Sequence, residues 1–170
     1  MNMGPTVMKR LYLVRHAKSS WDDHSLPDFE RPLNKRGFRD APSMGKYLAE
    51  NGHIPELMIS SPALRSVSTA EIFAKEMGYS RDKILKDENI YEADVSDLIE
   101  LVSGLGDKYS SVMLFGHNPG FSFFAAFLLP NHAESLSTCA ILCIDFDVSS
   151  WKEISAESGK KVFSAYPKEI

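Results

Sequence analysis

The sequence predicts an α/β fold: a single three-layer domain with a mainly parallel sheet and helices on both faces. Three observations predict it. Short continuous apolar runs, such as Leu11-Tyr12-Leu13-Val14 and Val112-Met113-Leu114-Phe115, read as strands buried on both sides. Segments with helical spacing alternate with these runs, which is the pattern of a parallel sheet flanked by helices. A chain of 170 residues that is 44% hydrophobic and 25% charged has the composition of an ordinary globular protein and the size of one domain, here residues 1–170 with a core of about 9–167.

In chain order, the first strand ends in Arg15-His16-Ala17. A polar connection over residues 18–36 follows, and connections that long in compact domains tend to be functional. Asn34 caps a helix toward Asn51, with Gly52 as its stop and Phe38, Ala41, Gly45 and Leu48 on one face. Pro42 lies inside this helix and is expected to kink or restart it. Leu57-Met58-Ile59 is a short second strand. Ser60-Ser61-Pro62 then offers caps and a first-turn proline to a helix on which Ala63, Val67, Ala70, Ala74 and Met77 recur up to Gly78. Residues 84–91 form a weaker strand, and residues 95–105 a helix that contains Gly104 or ends there. The strand at 112–115 runs into Gly116-His117-Asn118-Pro119-Gly120, and residues 121–129 form an apolar helix. Residues 139–146 and 151–156 are expected as strands, with 161–165 pairing beside them.

The formal charge of −4 gives no basic field for nucleic acid, and no block of like charge forms a tail or a membrane patch. Residues 1–10 lack the pattern of a secretory signal, no apolar run approaches a membrane span, and Gly4 is misplaced for myristoylation. On a strand, Cys139 and Cys143 share a face but are too far apart to bridge. They read as reduced core residues of a cytoplasmic protein, and no further Cys or His completes a metal set.

The chemistry concentrates at strand ends, where open α/β sheets bind ligands. Arg15 and His16 follow the first strand. A guanidinium beside a neutral imidazole suits attack on a phosphoryl group whose oxygens the guanidinium holds. Arg65 lies in the first turn of a helix that follows a strand. Helical side chains lean toward the N-terminus, so its guanidinium can reach the same edge, where unsatisfied N–H groups also favour an anion. His117 directly follows a third buried strand, between Gly116 and Gly120. Folding alone does not predict such convergence, and two guanidiniums with two imidazoles make a metal-free phosphoryl clamp.

Leu-Val-Arg-His-Ala at 13–17, Ser-Ser-Pro-Ala-Leu-Arg-Ser at 60–66, Gly-His-Asn-Pro-Gly at 116–120, the stretch 28–37 and the closing region 151–167 together resemble the histidine phosphatase superfamily, the phosphoglycerate mutase-like fold, and within it the SixA-type branch of phosphohistidine phosphatases. The resemblance implies that His16 is the nucleophile, that Arg15 and Arg65 bind the phosphoryl oxygens, and that His117 donates a hydrogen bond to them. Two nearby guanidiniums should keep His16 unprotonated. Two features depart from the larger family. Ala17 stands where glycine is usual, and no carboxylic acid is assured. Glu92 is the position-based candidate for protonating the leaving group and Asp94 the runner-up; equally, both acids simply decorate a helix start. Ser19 either adds a hydroxyl to the pocket or is only loop polarity. Arg31 either folds over the pocket and recognises phosphate or a partner's acidic surface, or forms an ordinary salt bridge with Asp28 or Glu30.

The implied activity is that of a phosphatase without metal or other cofactor, acting through a phosphohistidine intermediate. The leading substrate is protein phosphohistidine, since no large cap that would enclose a small molecule is evident. The rivals are a phosphatase or mutase of small phosphorylated metabolites, and a module that binds phosphorylated proteins without turnover.

Overall fold

A computed structural model describes residues 8–170; the reading of the N-terminal Met1 to Val7 stretch lies outside them. Six strands form one sheet: β1 (Lys9–Arg15), β2 (Leu57–Ser60), β3 (Leu85–Lys86), β4 (Ser111–Gly116), β5 (Ile141–Phe146) and β6 (Gly159–Ala165), in the order β3-β2-β4-β1-β5-β6. The pairs β1–β4, β2–β4 and β2–β3 are parallel, whereas β5 runs antiparallel to both β1 and β6.

Alternation along each strand builds two cores, because successive side chains point to opposite faces. Leu11, Leu13, Val112 and Leu114 face one side and pack with α3 (Val95–Ser103) and α4 (Gly120–Leu128). Tyr12, Val14, Met113 and Phe115 face the other and pack with α1 (Lys35–Glu50) and α2 (Leu64–Met77). The expected three layers are therefore present. The chain leaves β1 toward β2 over the α1 face and leaves β4 toward β5 over the α4 face. Departures to opposite faces leave a crevice at the carboxyl ends of these neighbouring strands. The register brings Arg15 opposite Gly116 and Ser60 opposite Phe115, which aligns the ends of β1, β4 and β2.

Asn34 caps α1 by accepting from the Gly37 amide, and Gly78 closes α2 in the left-handed region. Several local expectations are corrected. Phe38 is 55% exposed; the buried face of α1 is Gly37, Ala41, Met44, Gly45 and Leu48, one step around the helix. Pro42 does not restart α1, which continues as one helix; the carbonyl deprived of its donor is that of Phe38, on the solvent side. Neither Ser60 nor Ser61 caps α2. Ala63 is the N-cap and Pro62 precedes it, so Arg65 remains in the first turn.

The strand expected over 84–91 shrinks to Leu85–Lys86, because the Asp87 side chain accepts from the Asn89 amide and opens a 3-10 turn. The strand expected over 151–156 is the 3-10 turn Trp151–Glu153, held by a Ser150–Glu153 capping box, with the indole donating to the Tyr109 carbonyl. Cys139 sits outside β5 with φ 62° and donates its amide to the carbonyls of Arg15 and His16; both cysteines are buried and unbridged.

No helix among the described residues is long and apolar enough to cross a membrane.

Candidate active site

His16 follows directly from β1 and is buried. Its Nδ1 lies 2.7 Å from the Ala17 carbonyl. A carbonyl only accepts, so Nδ1 carries the proton and Nε2 is the free nitrogen of the neutral ring. Thr69 fixes this corner: its hydroxyl accepts from the Ala17 amide at 3.0 Å and donates to the Arg65 carbonyl at 2.8 Å. Ala17 is fully buried and is not among the positive-φ residues, so alanine serves where glycine is usual in the larger family.

The four strand-end groups do converge. The His16 and His117 rings stand 5.2 Å apart. Ser61 and the Nε2 of His117 share a hydrogen bond of 2.7 Å, while the buried Nδ1 of His117 has no partner. Arg15 anchors Nη1 on the Leu136 carbonyl at 3.0 Å and leaves a buried Nε unpaired. Arg65 is buried and directs both terminal nitrogens to Asp28, Nη1 to its backbone carbonyl at 2.7 Å and Nη2 to its carboxylate at 3.0 Å.

Burial, more than the guanidiniums, sets the protonation of the histidines. It lowers His16 to about 4, with Arg65, Arg15 and Arg31 adding to the effect and the Ala17 bond opposing it. The expected effect of Arg15 and Arg65 is present, with burial the larger cause. His117 is lowered to about 3, again first by burial and then by His16 and Arg65.

Three side chains from the connection and from the segment after β3 complete the site. Asp28, in the 3-10 turn Asp28–Glu30, also accepts from Arg31 at 3.0 Å and from the Tyr91 hydroxyl at 2.6 Å. The Tyr91 bond above all, then those of Arg65 and Arg31, holds the Asp28 carboxyl well below the usual carboxylate range. The same bond pushes Tyr91 up to about 12. Arg31 is buried, donates to Ser19 at 2.6 Å and stacks 3.2 Å from the Trp21 ring centroid. Arg31 forms the salt bridge with Asp28 at 3.0 Å that one reading of the sequence expected, and the Ser19 hydroxyl accepts from it.

Glu92 is exposed with φ 55° and lines a cavity with Arg65 and His117. Asp94 lines it too, but its carboxylate caps α3 by accepting from the Asp97 amide. The roles of Tyr91, Ser61 and Thr69 were not legible in the sequence. Asp28 carried one signal, its spacing of three from Arg31 ahead of a proline. Among the described residues, no group of three His, Cys, Asp or Glu side chains comes together to hold a metal.

The profile of the Histidine phosphatase superfamily (branch 1) matches residues 11–110. The chain belongs to that superfamily. A chloroplastic protein of Arabidopsis thaliana is 33% identical over 162 residues, 91% of this chain and 74% of its own length. The structure assigned as a phosphohistidine phosphatase SixA from Agrobacterium tumefaciens superposes with a TM-score of 0.79 at 25% identity, covering 94% of this chain and 98% of that one. Another member of the family, a 2,3-bisphosphoglycerate-dependent phosphoglycerate mutase from Methylobacterium radiotolerans, is 32% identical over 94 residues, 52% of this chain and 42% of the mutase.

Proposed function

We propose that the protein is a phosphatase that works through a covalent phosphohistidine on His16, with protein phosphohistidine as its substrate. The observation that carries this reading is the His16 ring: buried, neutral, its Nδ1 committed to the Ala17 carbonyl and its Nε2 left to attack. The unpaired Nε of Arg15 and the Nδ1 of His117 are spare groups beside it for phosphoryl oxygens. A Ser61 hydroxyl that donates to Nε2 of His117 puts the proton on Nδ1, which makes that atom a donor. In the forward step the Nε2–P bond forms as the bond from phosphorus to the leaving group breaks. Water then attacks phosphorus, and Nε2 departs from inorganic phosphate.

The fold supports an accessible substrate. The cavity beside the clamp is bounded by short segments, and the SixA-type structure aligns almost end to end with this chain. A phosphorylated side chain presented by another protein fits such a site. Phosphorylated metabolites are the competing substrate, and they are separated from phosphohistidine by direct comparison. Hydrolysis of an aryl phosphate in excess chelator, with label trapped on His16, tests the mechanism; a phosphohistidine protein turned over faster than phosphorylated sugars tests the substrate. Lack of turnover of every phosphate offered, with tight binding, would make the protein a binding module instead.

A further inference from the structure

Beside the clamp lies a cavity of about 530 Å³. Arg65 and His117 line it, and the His117 ring stands 5.2 Å from that of His16, so the cavity adjoins the reacting centre. One side is aromatic. Tyr91 stands edge-on to His117 at 5.6 Å, is backed by Phe29 at 5.2 Å, and is joined on the cavity lining by Phe123, which is 61% exposed. The charged lining besides Arg65 is acidic, with carboxylates from Asp28, Glu92 and Asp94, and Asn118 adds a neutral amide. Asp28 is held ionised by Tyr91, Arg65 and Arg31. Among the described lining residues Arg65 is the sole guanidinium or ammonium, and both its terminal nitrogens are already engaged by Asp28.

Whatever leaves phosphorus must pass into the space next to it. A leaving group with a carboxylate or a second phosphate would meet the exposed carboxylates of Glu92 and Asp94 and find no free cation there, the charge of Asp28 being matched by Arg65 and Arg31. An aromatic ring would find edges and faces to pack on, and a positive charge would find partners. We propose that this cavity is the leaving-group subsite, and that it selects aromatic leaving groups that are neutral or cationic while rejecting those that carry a second anion. The inference rests on the phosphatase reading above and deepens it. An imidazole side chain in a segment with basic neighbours has the favoured chemistry, and a phosphorylated hydroxy acid has the disfavoured one. The acids in this account act through their field on the leaving group, separately from any proton they deliver.

The experiment compares kcat/KM at low ionic strength for two aryl phosphates, one bearing a quaternary ammonium and one a carboxylate. Each is normalised to a neutral aryl phosphate whose phenol has the same acidity, which cancels differences in proton demand. The native protein should favour the cationic compound by about tenfold, the scale of a unit charge facing those of Glu92 and Asp94 at a solvated rim. The ratio should fall toward unity in the Glu92→Gln/Asp94→Asn double variant and in high salt. Gln preserves the shape of Glu92, and Asn caps a helix as well as Asp does, so the fold is retained; thermal melting checks this. Equal rates for the two compounds in the native protein, or an undiminished preference in the double variant, would overturn the subsite. The neutral phosphate separates the two levels: its turnover without charge discrimination removes only the subsite, whereas no turnover and no label on His16 removes the phosphatase reading and the subsite with it.

Discussion

Arg65 and Asp28 are joined twice, from Nη1 to the backbone carbonyl at 2.7 Å and from Nη2 to the carboxylate at 3.0 Å. They lie 37 residues apart, one in the first turn of α2 and the other in the connection after β1. The paired contact fixes the plane of the guanidinium, and the bonds of Asp28 to Arg31 and Tyr91 fix Asp28 in turn. A phosphoryl group arriving at Arg65 therefore meets a donor set already oriented, and orientation of this kind is what catalysis by hydrogen-bond donors requires.

Removal of that constraint should separate binding from catalysis. Asp28→Ala leaves Arg65 with more free positive charge and less fixed geometry. For a neutral aryl phosphate, kcat should fall about tenfold while KM stays level or drops, since a misplaced donor loses more in the transition state than in the ground state. Steady-state kinetics gives both numbers. A rise in KM with kcat unchanged would remove Asp28 from the positioning of Arg65.

Arg65→Lys keeps the charge and loses the fork. An ammonium cannot hold Asp28 at two points and still face the phosphoryl group, so kcat/KM should fall about a hundredfold, or ~3 kcal/mol of transition-state contact. Activity near that of the native protein would place Arg65 outside the reacting site.

His16→Ala should abolish turnover and labelling, because the nucleophile is gone. A substrate labelled on phosphorus, quenched during turnover, should mark His16 in the native protein. Label on His117 would reverse their roles.

The buried histidines make a pH prediction. In the folded protein His16 is lowered to about 4 and His117 to about 3, below the roughly 6.5 of a free histidine. The unfolded chain therefore binds more protons across that interval. Their contribution to stability is complete above about pH 6.5 and is lost as pH falls through it toward 4. Ring chemical shifts should show both histidines neutral at pH 5.5, and denaturant midpoints should drop between pH 7 and 5. Protonation of either ring near 6.5 would contradict the burial that sets these values.

Glu92 carries the prediction on proton supply. Glu92→Gln should slow hydrolysis of alkyl phosphates while sparing phosphohistidine and aryl phosphates, because a poor leaving group depends on a proton and an activated one does not. A uniform loss would mark a structural role, and no loss for any substrate would leave Asp94 or water as the donor.

The sequence by itself determined the sheet, its flanking helices and the convergence of Arg15, His16, Arg65 and His117. The reason is local: a buried run such as Leu11-Tyr12-Leu13-Val14 must be a strand, and a parallel sheet brings the ends of such strands to one edge. It also fixed Gly78 as a helix stop, since a left-handed residue there suits glycine. Short elements were less legible. Residues 151–156 have strand-like composition, but Ser150 and Glu153 cap a turn, and a hydrogen bond between neighbours outweighs a propensity. Only the tertiary structure decided which residues from the long connection enter the site. Ser19 and Arg31 could be named as candidates from the sequence, and Asp28 as a partner of Arg31, but their contacts could not. Their roles arise because the connection folds back against α2 and Tyr91, joining Asp28 to a residue 63 positions later. The same holds for the neutral state of His16: the arginines beside it can be read from the chain, but the burial that dominates its protonation belongs to the packed whole.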